Sequence, residues 1–71
     1  MRTYSHAAQV LTELLAREQI DAAELSRRTG IDAGILRSIL CGRRTSVSTR
    51  NLMALAHYFG FSLQELIDRL A

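Results

Sequence analysis

Seventy-one residues, 48% of them hydrophobic, with no proline and no tryptophan, make one small folded domain over residues 1–71, near the lower limit for an unaided core. One cysteine excludes an internal disulfide, and neither a charged-then-apolar leader nor a run of about eighteen apolar residues is present, so the cytoplasm is expected and a membrane partner is not. The formal net charge is only +2, but residues 22–51 carry six arginines against two acids, and the rest three arginines against five acids. Basic charge concentrated in this way is what a phosphate-facing surface requires. All nine basic residues are arginine, which suits forked hydrogen bonding to phosphate or guanine.

Taken in order, the apolar spacing predicts a first helix over residues 5–18, with Val10, Leu11, Leu14 and Leu15 on one side and Tyr4 and Ala7 extending that face. His6 and His57 are single imidazoles without a second ligand at metal spacing, so both read as surface or partly packed side chains and no metal site is expected. Asp21 is placed to cap a second helix that opens at Ala22, with Glu24 completing a capping pair, and Gly30 ends that helix. Asp32 caps a third helix running to Cys41, and Gly42 repeats the stop signal. Leu25, Ile31, Leu36 and Ile39 are the apolar anchors of the pair. Ser26 supplies a small side chain where the helices cross, and Thr29 stands where an aliphatic residue is expected. The stretch AAELSRRTGIDAGILRSILC is thus two short helices hinged at a glycine, a helix-turn-helix.

At about 100° per residue, Ile35, Leu36, Ile39 and Leu40 share an arc of about 140° on the third helix, opposite Ala33, Gly34, Arg37, Ser38 and Cys41. Cys41 reads as a small residue of the last turn; a redox role would need a thiol pKa lowered by the nearby Arg43 and Arg44. Residues 42–47 form a loop in which Arg43, Arg44, Thr45 and Ser46 can all hydrogen-bond phosphate. Ser48 caps a fourth helix striped by Leu52, Leu55, Ala56 and Phe59, and its N-terminus, with Thr49, Arg50 and Asn51, is a natural phosphate seat. Gly60 ends it. Ser62 and Glu65 are spaced as a capping box for a fifth helix with Leu63, Leu66, Ile67 and Leu70 on one stripe, and Phe61 is expected to plug the core beneath the turn.

The helix-turn-helix, followed by SxxNLMALAHYFGFSLQELI, resembles the Cro and phage-repressor type of helix-turn-helix protein, also called the Xre family. The likeness runs over residues 11–42 and resumes over residues 48–70; the loop between, GRRTSV, is about one residue longer than the common form. It implies an all-α, compact five-helix domain of the lambda-repressor-like DNA-binding class. Where family members often carry Arg and Glu as an ion pair between the first and third helices, this chain has Leu15 and Leu40, an apolar pair that can replace a buried ion pair without loss.

The resemblance places base reading at Ala33, Gly34, Arg37 and Ser38, and puts Ala22 where a glutamine commonly opens the second helix beside phosphate. Direct readout is thin. Arg37 can be bidentate to guanine, Ser38 can bond a groove edge and Ala33 can touch a thymine methyl. Gly34 costs about 1 kcal/mol of helix propensity relative to alanine, explained either by close approach to DNA or by drift. Met53, Tyr58, Leu63, Ile67 and Leu70 are the candidates for an apolar contact with a second copy, the C-terminal helix being a frequent dimer contact in the family. The expected function is sequence-specific binding of double-stranded DNA by a homodimeric repressor. The alternative is a protein-interaction module or the antitoxin of a toxin pair, for which Ala22, Ala33 and Gly34 are the evidence. No paired carboxylates or nucleophile with its base points to an enzyme, and no cofactor is expected.

Overall fold

A computed structural model describes residues 3–71. Its helices are α1 (Ala7–Glu18), α2 (Ala22–Thr29), α3 (Ala33–Leu40), α4 (Thr49–Phe59) and α5 (Leu63–Leu70). Four of the five begin on a side chain that accepts an otherwise unpaired backbone N–H: Asp21 from Glu24, Asp32 from Gly34 and Ile35, Ser48 from Asn51, and Ser62 from Glu65. At α5 the box is complete, since the Glu65 carboxylate also accepts the Ser62 N–H at 3.1 Å. The pair at α2 is only half formed, because the Glu24 carboxylate turns to arginine instead of back to Asp21.

The first helix begins two residues later than its apolar spacing predicts, and no side chain caps it. The backbone ahead of it is drawn elsewhere: the Tyr4 carbonyl accepts the Ala7 N–H at 3.3 Å, and His6 donates its N–H to the Leu70 carbonyl at 3.0 Å. At the far end Gln19 takes the left-handed conformation, φ 56°, so that the chain turns without the glycine that usually marks such a stop.

The turn between α2 and α3 accounts for Thr29. Its hydroxyl donates to the Leu25 carbonyl at 2.7 Å and accepts the Ile31 N–H at 3.3 Å, while the Ser26 hydroxyl donates to the Ile31 carbonyl at 2.5 Å. Both backbone polar groups of Ile31 are thereby satisfied by α2 while its side chain is buried. Gly30, at φ 78°, makes the reversal.

Beneath this turn lies a dry core. Leu25, Leu36, Leu52 and Leu66 are its fully buried side chains, one from each of α2 to α5, and Leu11 and Leu15 come from α1. Tyr4, Ile31 and Val47 enter it from outside the helices. Among the described residues the buried ones include no polar or charged type, so burial of apolar surface supplies the cohesion. Leu15 is buried, but Leu40 and Ile35 are only half-buried, which corrects their assignment to the interior. The reason is angular: Leu36 and Ile39 occupy the middle of the apolar arc of α3, and Ile35 and Leu40 its edges. Phe61 is likewise half-buried: it packs against the core from the turn, with the Arg69 guanidinium over its ring at 4.6 Å.

Burial depth sets the expected ranking of core substitutions. Leu36→Ala should cost about 2 to 5 kcal/mol in denaturant unfolding, and Leu40→Glu less than that, because a carboxylate at the edge of the arc reaches water. A larger loss from Leu40→Glu would place that side chain in the interior.

Candidate nucleic-acid interface

The outer side of α3 and the loop that follows it bring together most of the polar residues singled out in the sequence. Gly34 and Arg37 are exposed, and Ala33 and Ser38 are half-buried. The chain then folds back on the end of the helix: the Ser38 carbonyl accepts the N–H groups of Arg43 at 3.0 Å and Arg44 at 3.1 Å. Ser38, Arg43, Arg44, Thr45 and Ser46 line one shallow open concavity as a result. Val47, buried, seats the far end of the loop in the core. Thr49 and Arg50 are exposed on the first turn of α4, with Asn51 half-buried beside them and its N–H taken by the Ser48 hydroxyl.

Gly34 has a local explanation. A Cβ at this position would lie 2.9 Å from the Asp32 carboxylate oxygen that accepts the Gly34 N–H at 2.7 Å and the Ile35 N–H at 3.2 Å. The cap of α3 folds over residue 34, and glycine leaves room for it.

The arginines of this region divide into two groups. Glu24 pairs with Arg27 at 3.0 Å and with Arg28 at 2.8 Å, and Arg28 also donates to the Tyr58 hydroxyl at 2.6 Å. Among the described residues, Arg37, Arg43, Arg44 and Arg50 form no ion pair. The uncompensated charge is therefore narrower than the sequence count suggests, and it sits on α3, on the loop after it and on the first turn of α4.

Two candidates move. The Ala22 side chain is 8% exposed and packs into the core, so that its methyl cannot serve a phosphate and only the backbone at the start of α2 remains for that role. Leu70 is 4% exposed, held inside where the end of α5 meets residue 6, and is not a surface for a second copy. Of the other apolar candidates, Met53 is 56% exposed, Leu63 and Ile67 are half-buried, and Tyr58 is half-buried and engaged with Arg28 of the same chain. The sequence did not suggest the engagement of Glu24 by arginine, although its spacing of three and four residues from Arg27 and Arg28 is the signal for it. Nor did it suggest the pairing of residues 3 and 4 with the loop, for which an isolated tyrosine ahead of α1 is the only hint. Among the described residues no cluster of His, Cys, Asp or Glu is placed to hold a metal, and no helix is long and apolar enough to cross a membrane.

The hydrogen bond from Arg28, helped by the charge of Arg27, holds the Glu24 carboxyl below the usual carboxylate range. A folded-state pKa depressed in this way stabilises the fold above the unfolded value, and the contribution is lost as the pH falls through the folded one. In an NMR titration the Glu24 carboxyl should accordingly have its midpoint below that of an ordinary glutamate, and Arg28→Ala should move it back toward the ordinary value. An unchanged midpoint in the variant would remove Arg28 as the cause.

The sequence profile of the Cro/C1-type HTH DNA-binding domain matches residues 10–71, from within α1 to the end of the chain. No match was found among curated proteins or among solved structures. With five helices around a helix-turn-helix and this profile covering all of them but the first turn of α1, the chain belongs to the Cro/C1-type helix-turn-helix DNA-binding domain family.

Proposed function

We propose that this protein is a cytoplasmic, sequence-specific regulator that binds double-stranded DNA as a homodimeric repressor, with α3 in the major groove of a palindromic operator. The observation that carries the reading is the exposed, unpaired Arg37 on the outer side of α3, with the unpaired Arg43 and Arg44 folded back against the end of the same helix. Arg37 reads a guanine, with Ser38, Ala33 and Gly34 adding little chemistry to the groove face. Arg43, Arg44, Thr45, Ser46, Thr49, Arg50 and Asn51 bind phosphate. Met53, Leu63 and Ile67 are the residues proposed to meet a second copy. The second reading, a protein-interaction module or an antitoxin bound to its toxin, is favoured by the same thin groove face and by the inward-turned Ala22.

Titration of variants against a selected operator and a scrambled duplex at several salt concentrations separates these roles. Arg37→Ala should cost about 1 to 3 kcal/mol on the operator and relax selectivity at one base pair per half-site. Arg43→Ala or Arg44→Ala should weaken both duplexes alike and flatten the plot of log affinity against log salt by about one unit for each phosphate no longer neutralised. If Arg37→Ala changes neither duplex, α3 does not enter the groove and the protein-interaction reading takes its place.

The dimer makes its own prediction. Two-fold symmetry sets half-sites about 10 base pairs, or about 34 Å, apart. Sedimentation should show a dimer on operator DNA that Met53→Asp or Ile67→Asp weakens. A monomer both free and on DNA would reject the symmetric arrangement.

A further inference from the structure

Residues 3–6, ahead of α1, run between the loop after α3 and the end of α5. Tyr4 donates its N–H to the Thr45 carbonyl at 2.7 Å, and Thr3 pairs with Ser46 in an isolated antiparallel bridge. The Tyr4 side chain is buried in the core, which fixes this strap in place. At its other end His6 donates its N–H to the Leu70 carbonyl at 3.0 Å, and its Nδ1 lies 2.6 Å from the Ala71 carbonyl oxygen. The loop is thus gripped along its length: the Ser38 carbonyl takes the N–H groups of Arg43 and Arg44, and the strap takes Thr45 and Ser46.

The geometry points to Thr3 and Tyr4 as positioning residues for DNA binding, which hold residues 43–46 in one arrangement so that Arg43 and Arg44 meet phosphate with their backbone already ordered. The inference rests on the DNA-binding reading above. A loop that is ordered before it binds loses less conformational freedom on the duplex, and that difference appears as affinity without any new interaction. Neither Thr3 nor Tyr4 is charged, so their effect passes through the loop residues they order, Arg43 and Arg44 above all.

The test replaces the peptide bond between Thr3 and Tyr4 by an ester in the full synthetic chain, which removes the Tyr4 N–H and keeps its ring. Affinity for a duplex of about 20 base pairs should fall roughly 3- to 10-fold, the range expected for one backbone hydrogen bond. Amide hydrogen exchange at residues 44–47 should quicken, with the far-UV helix signal unchanged. The same ester in a chain carrying both Arg43→Ala and Arg44→Ala should lower affinity by a smaller factor than in the unsubstituted chain. An equal loss in both backgrounds would show a general loss of fold and overturn the proposal, as would unchanged affinity in the first. Unchanged exchange at residues 44–47 would overturn it as well, whatever the affinity. Absence of salt-dependent duplex binding by the unmodified chain would overturn the DNA-binding reading, and hydrogen exchange would still report whether the strap orders the loop.

Discussion

The structure depends first on how Ile31 is held. A reversal between two eight-residue helices leaves a peptide with a donor and an acceptor next to the core, and each buried group left unpaired would cost about 1 to 3 kcal/mol. Thr29 accepts the N–H and Ser26 donates to the carbonyl, both from α2, so the side chain of Ile31 can be buried while its backbone stays satisfied. Thr29 would be a poor choice for a position that only fills space. As the hydrogen-bond partner of the turn it ties the residue ahead of α3 to the last turn of α2.

Charge is arranged around that frame by subtraction. Glu24 draws Arg27 and Arg28 together, and Tyr58 takes a further hydrogen from Arg28, which ties α2 to α4 along the surface. Exposed pairs of this kind contribute little to stability. Their effect is on the field: two of the six arginines of the central stretch share the single charge of Glu24, and the remaining four face solvent on α3, the loop and the start of α4. The hydrogen-bonding chemistry on the outer side of α3 is correspondingly concentrated in Arg37 and Ser38, since Ala33 and Gly34 offer no hydrogen-bonding group beyond the backbone. Gly34 itself answers to the Asp32 cap, and its presence does not require a nearby base.

Most of the architecture was legible in the chain because its signals are local. An Asp or Ser followed three residues later by a backbone N–H, a glycine at a helix end and an apolar residue every third or fourth position each act within one or two turns, and the four capped starts follow from them directly. Arg37, Arg43, Arg44 and Arg50 were legible as exposed cations for the same reason: each lies off the apolar stripe of its own segment.

What could not be read are the choices made between segments. Periodicity groups Ile35, Leu36, Ile39 and Leu40 on one face, but how much of that arc is covered depends on the width of α1 and α2 against it, so two of the four stay at the rim. Leu70 reads as a stripe residue free to meet a second copy until the end of α5 is seen bonded to residue 6. Ala22 reads as a helix opening until its methyl is found inside. The strap of residues 3–6 reads in the chain as the opening of α1, and its partners are Thr45, Ser46, Leu70 and Ala71. A hydrogen bond across some forty to sixty-five positions leaves no spacing in the chain to detect, because it forms only after the helices have set the distance between its ends.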